Sequence, residues 1–222
     1  ERLDKDHKSN LKIEINSNMG VKPKLVEKLV SAVKKLKAEG KIKSFKLYTS
    51  IDTWTGRAEY TRTGLDIKLW ERNLDYYLSN TGWPVTFMIT FNLFSVTSFD
   101  TLLAKILEWR TKYNGDQNST QWQRVRFDTP HLKEPTMYDM NILPKEEFIP
   151  YMEKHLQFIE TNMDNADRTK FTTLEYEKFK RVVEYMRTTH YDNRALKEAR
   201  KNFYNWFTEH DRRRNTNILE SF

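Results

Sequence analysis

Hydrophobic positions change period several times along the chain. Leu11, Ile13 and Ile15 alternate with polar residues, a two-residue period that predicts a short strand ending at Asn16. From Pro23 the period lengthens. Leu25, Val26, Leu29, Val30, Val33 and Leu36 recur at helical spacing until Gly40 ends the run. Phe45, Leu47, Thr49 and Ile51 alternate again, and Ile67, Trp70, Leu74, Tyr77 and Leu78 then share one face of a second helix, closed by NTGWP at 80–84. The run VTFMITF at 85–91 is apolar nearly throughout, which predicts a strand buried on both faces of a helix-covered parallel sheet. A third helix carries Phe99, Leu102, Leu103, Ile106 and Tyr113; a polar loop at 114–121 and a short strand around 125–127 follow.

Residues 11–128 therefore read as strand–helix three times and then a strand, the pattern of right-handed βαβ units and a parallel sheet. Three units are too few to close a barrel. An open doubly wound sheet and the later part of a barrel both fit, and the second is expected, because the chain opens on Glu1 without an initiator Met. The 130–144 stretch has three prolines and no period. Helical patterns follow at about 145–163, 172–188 and 193–209, the middle one capped by Thr172 or Thr173 with Glu175 in its first turn. The expected organisation is βα units over 1–129 and an irregular connection with a helical C-terminal region over 130–222.

Composition narrows the chemistry. With 38 Lys+Arg against 31 Asp+Glu, the net charge of +7 permits an anionic partner, nucleic acid included, without requiring one. Zero cysteines exclude disulfides and any zinc or iron–sulfur site ligated by cysteines of this chain. No run of about 18 apolar residues is present, so no membrane-spanning helix and no membrane partner are expected, and a reducing cytoplasm is the default compartment.

In parallel α/β folds ligands bind at the carboxyl ends of the strands. Those ends carry Asn16, Ser17, Asn18 and Gly20 after the first strand, and Ser50 and Asp52 after the second, with Arg57 and Arg62 in its loop. Thr90, Asn92 and Ser95 follow the third, and Asp128, Thr129 and His131 the fourth. Such residues also cap helices and form turns, so the rim has a purely structural reading beside the functional one. The five histidines have no metal-ligand spacing, and no GxGxxG, GxxxxGK[ST] or GxSxG motif occurs. Asp211–Arg214 is a short basic cluster suited to the negative end of a helix dipole, with nucleic-acid contact as the functional alternative.

The order of motifs resembles that of the radical S-adenosylmethionine superfamily, in its twitch-type members. INSNMG at 15–20 resembles the strand-end TNG of that family, and TSID at 49–52, with Arg62, Gly64, Trp70 and Asn73, resembles its SIDG…R.G stretch. MITFNLFSVTSF at 88–99, DTPHLKEP at 128–135, NILP at 141–144 and FYNWFTEHDRRRNTNILESF at the end resemble the rest of the barrel and its tail. The resemblance implies the C-terminal part of a partial (β/α)6 barrel with a helical extension. It also implies S-adenosylmethionine and a [4Fe-4S] cluster as cofactors, a 5′-deoxyadenosyl radical, and hydrogen abstraction from a substrate it does not identify. By position, Ser50 is expected on the ribose or methionyl part and Arg62 on the carboxylate, where its guanidinium can meet two oxygens at once. Ser17, Asn18 and Asn92 line the same mouth, and Asp52 holds the loop or orients Arg62. Position 53 is Thr where the family commonly has Gly. The cluster cysteines and the GGE strand belong to an N-terminal part of the same polypeptide, the expected partner, without which this chain is inert. The alternatives are a cysteine-free α/β nucleic-acid-binding module and a scaffold domain.

Overall fold

Four alternating segments become strands: β1 (Lys12–Ser17), β2 (Ser44–Ser50), β3 (Val85–Met88) and β4 (Val125–Asp128). They form one parallel sheet in the order β1-β2-β3-β4. This is a computed structural model describing residues 10–113 and 123–221; His7 and the 114–121 loop lie outside the described residues. Sequential parallel order has a simple consequence. Right-handed crossovers that always step in one direction leave all their helices on the same face.

The connecting helices are α1 (Pro23–Ala38), the short α2 (Gly56–Thr61), α3 (Ile67–Asn80) and α4 (Phe99–Tyr113). Pro23 opens α1 in its first turn, and Gly40, at φ 67°, provides the left-handed turn beyond its end. Asp66 caps α3 through Leu69 N–H at 2.9 Å, and Glu59 of α2 accepts from Ile67 N–H at 2.9 Å. The helix-facing side of the sheet presents Phe45, Leu47, Val85, Phe87, Val125 and Phe127, all buried. Trp70 and Trp109 meet Phe87 edge-on at 5.4 and 5.5 Å between ring centroids. Truncating either tryptophan to alanine costs about 3–5 kcal/mol.

As expected, β3 is buried on both faces over Val85–Phe87, with Met88 half-buried. The opposite face carries Lys46 and Tyr48 of β2, Thr86 and Met88 of β3, and Arg126 and Asp128 of β4, and it forms one wall of an open groove. Thr86 and Met88 are the alternate positions of β3 that face this groove. The ladder also stops at Met88, short of Phe91, which rejoins only as a single bridge to His131.

Beyond β4 come α5 (Lys145–Thr161), α6 (Thr173–Thr188) and α7 (Asn193–Arg214). Phe179 of α6 stacks on Phe99 at 5.0 Å, so one core spans the βα units and the following helices. Thr172, not Thr173, caps α6, in a reciprocal capping box with Glu175. Glu175 also receives Arg110 of α4, whose Nη2 donates to Oε1 at 2.6 Å and whose Nε donates to the Val125 carbonyl at 2.8 Å. A second core gathers Tyr60, Leu93, Phe94 and Phe207 where α7 lies over the loops after β2 and β3. Tyr60 Oη donates to Asp211 at 2.9 Å, which ties α2 to the end of α7. The final helix runs past 209 to Arg214, where three arginines occupy its last turn. Among the described residues no helix is long and apolar enough to cross a membrane.

Candidate functional site

A cleft of about 350 Å³ opens at the carboxyl ends of β1 and β2, lined by Asn18, Gly20, Ser50, Thr61, Arg62 and Gly64 among others. Asn18 Oδ1 accepts from Gly20 N–H at 3.1 Å, and Ser17 Oγ from Met19 N–H at 3.1 Å, so both side chains shape the turn after β1. Met19 sits in the left-handed region at φ 53° yet is buried. Asn73 of α3 holds that turn, its Nδ2 donating to the carbonyls of Met19 and Val21 at 2.7 and 2.8 Å.

After β2 the chain enters the segment SIDT. Asp52 is buried and closes a two-bond fork with Arg62: Nε to Oδ2 at 2.8 Å and Nη2 to Oδ1 at 2.9 Å. Oδ1 also accepts from Thr90 N–H at 2.8 Å, and Ser95 Oγ donates to the Asp52 carbonyl at 3.0 Å. Asp52 thus joins the ends of β2 and β3 and fixes the guanidinium. The double contact expected between Arg62 and a cofactor carboxylate is made with Asp52 instead. Ser50 differs. Among the described residues its hydroxyl has no hydrogen-bond partner, although the side chain lines the cleft.

This loop contains one strained residue. Thr55, which opens α2, adopts φ 67° and ψ −160°, a region that glycine alone occupies without cost. Gly64 lies at φ 81° with open space where a Cβ would stand, so its backbone conformation, not crowding, calls for glycine.

The structure brings Asn18, Ser50 and Arg62 to the cleft, with Asp52 behind Arg62 and Ser17 beneath the turn. It does not bring Asn92 there. That residue is buried, its Nδ2 donates to the Thr90 carbonyl at 2.9 Å and its Oδ1 accepts from Phe94 N–H at 2.9 Å, so it organises its own turn. Arg57 is also directed away, Nη1 donating to Thr97 Oγ1 at 2.5 Å; burial lowers its pKa, with partial relief from Asp100. Sequence reasoning missed Thr61 and Leu65 in the lining, which only the fold of α2 brings round.

At the β4 end, His131 stacks on Tyr185 at 4.0 Å, and burial, then Lys133, depress its pKa against the pull of Asp139. Asp139 itself is buried and accepts from the hydroxyls of Tyr185 in α6 and Tyr191 in the connection that follows it, at 2.6 and 2.8 Å, a structural tie. In the basic run near the end of α7, Arg212 and Arg213 both fold back on Glu209 at 2.6 Å, holding its carboxyl down at about 2.

No protein-family model, curated protein or solved structure matches this chain.

Proposed function

We propose that this chain is the later part of a partial (β/α)6 barrel of the radical S-adenosylmethionine type. In this reading the cleft at the ends of β1 and β2 forms one wall of the cofactor pocket. The observation that carries it is the contrast within the cleft: Ser50 offers an unpartnered hydroxyl beside a guanidinium held rigid by Asp52. Two further features support it. The sheet is sequential and parallel with helices on one face, as in a barrel wedge, and β1 is an edge strand to which a preceding strand can add.

The donor set suits the polar end of a sulfonium amino acid. Ser50 donates to a ribose or methionyl oxygen, and Nη1 of Arg62 donates to a carboxylate oxygen. Asp52 removes most of the positive charge of Arg62 but keeps its direction, so the contact selects by geometry more than by field strength. S-adenosylmethionine bound together with a reduced iron–sulfur cluster supplies radical hydrogen abstraction. A cysteine-free chain cannot ligate such a cluster through thiolates, so in this reading an N-terminal segment of the same polypeptide provides them.

Equilibrium dialysis with S-adenosylmethionine tests the proposal. Weak, saturable binding that falls about tenfold in Ser50→Ala and in Arg62→Gln is expected for one lost hydrogen bond to a charged or polar ligand. Binding unaffected by both substitutions would overturn it.

A further inference from the structure

The two sides of α7 serve different ends. Its inner side sends Ala199, Phe203 and Phe207 into the second core. On the outward side Arg194, Lys197, Lys201, Tyr204 and Thr208 follow one another at helical spacing, so they form a single stripe, and all five are exposed. At a rise of 1.5 Å per residue the stripe is about 21 Å long.

The cations of the stripe are unanswered. Among the described residues Arg194, Lys197 and Lys201 have neither a hydrogen bond nor an ion pair. Elsewhere on the helix the arginines are engaged: Arg212 and Arg213 fold back on Glu209, and Arg200 Nε donates to the Ile142 carbonyl at 2.7 Å. Glu198, the acid nearest the stripe, lies on the neighbouring row of the helix and accepts from none of the three. A run of exposed cations is by itself an ordinary solvated face, so charge alone does not select a partner.

The second observation is independent of charge. Tyr204 is 69% exposed, the most exposed aromatic side chain among the described residues, and it stands on the stripe one turn beyond Lys201. Packing does not account for it: Phe203 and Phe207 make the ring contacts that seat α7, on Phe94 and on each other. A free ring beside phosphate-binding groups is the combination that holds a single strand, whose unpaired bases can stack on it. Lipid fits worse, because the apolar side of α7 is spent on the second core and none is left to enter a bilayer. A duplex offers phosphates but keeps its base faces stacked away from Tyr204.

We infer that the outer side of α7 binds single-stranded nucleic acid, with Arg194, Lys197 and Lys201 on phosphates and Tyr204 stacked on a base. Phosphates and ring faces carry little sequence information, so the binding tolerates sequence. No residue of α7 lines the cleft at the ends of β1 and β2, and the inference does not rest on the function proposed above.

Fluorescence anisotropy of a labelled oligodeoxythymidylate of about 16 nucleotides, titrated with the chain at several salt concentrations, tests the inference. Saturable binding is expected at low salt. The double variant Lys197→Gln/Lys201→Gln should weaken it about tenfold and reduce the salt slope by about 1.4, at about 0.7 for each lost phosphate contact. Tyr204→Ala should also weaken it about tenfold but leave the salt slope unchanged, since stacking releases no counterions. All three positions are exposed, so these variants keep the fold. Lys24→Gln/Lys28→Gln removes the same charge from the exposed side of α1 and should change the affinity little. No saturable binding, equal losses in the two lysine pairs, undiminished affinity in Tyr204→Ala, or tighter binding of the same strand annealed to its complement each overturns the inference. So does capture by phosphatidylserine–phosphatidylcholine vesicles with no response to the oligonucleotide. The cofactor reading fails separately: Arg62→Gln should weaken S-adenosylmethionine and leave the oligonucleotide unchanged.

Discussion

Ser50 and Asp52 are neighbours with opposite demands on the fold. The Ser50 hydroxyl has no partner to lose, so Ser50→Ala should alter stability by no more than about 0.5 kcal/mol while weakening cofactor binding. Asp52→Ala strands a partly buried guanidinium and the Thr90 N–H together. Discounting for the 31% exposure of the Arg62 side chain, the cost should be about 2–3 kcal/mol in urea unfolding. Equal losses in the two variants would contradict this division between a binding and a positioning residue. Thr86→Val belongs to the same scale and should raise stability by about 1 kcal/mol, since it removes a buried, unpartnered hydroxyl. Little of this was legible beforehand. Ser50, Asp52 and Arg62 stand out as polar residues at a strand end, but a fork closed across ten positions follows from the path of α2. That helix is six residues long, too short for an apolar period to announce it.

At the scale of elements, periodicity performed well where burial is one-sided. The helices after each strand and the capping box at Thr172 follow directly from spacing and end chemistry. The groove face escaped notice because Thr86 and Met88 sit inside an apolar run whose alternate members point away from the helices. Glu175 illustrates how one residue serves several elements, closing the α6 cap and anchoring α4 to β4 through Arg110. Its replacement by Ala leaves a buried arginine without its counter-charge and should cost about 3–5 kcal/mol, against about 1 kcal/mol for Thr172→Ala. Similar losses in the two would mean that the ion pair adds nothing beyond the cap.

Across the whole molecule, the aromatic core and the docking of α7 unite segments far apart in sequence. His155 lies in that core, Nε2 at 2.8 Å from the Val96 carbonyl, and burial depresses its pKa despite that bond. A histidine whose folded pKa lies below its unfolded value near 6.5 binds fewer protons when folded. Its contribution is therefore complete above that pH and is lost as pH falls toward the folded value. Stability should decline as pH falls below about 6.5, and His155→Gln should flatten that decline; an unchanged slope in the variant would refute the assignment. The sequential parallel sheet was legible as repeated βα units. The cleft after β1 and β2 was legible only as a set of polar strand ends, because the sequence does not say which of them the turns consume.

The central claim is that the cleft at the ends of β1 and β2 is a wall for S-adenosylmethionine. Amide chemical-shift mapping of the labelled chain during titration with that compound tests it most directly. The account predicts saturable shifts centred on 18–20, 50–52 and 62–64, abolished in Arg62→Gln. Shifts absent throughout the titration, or centred on the helical face of the sheet, would contradict it.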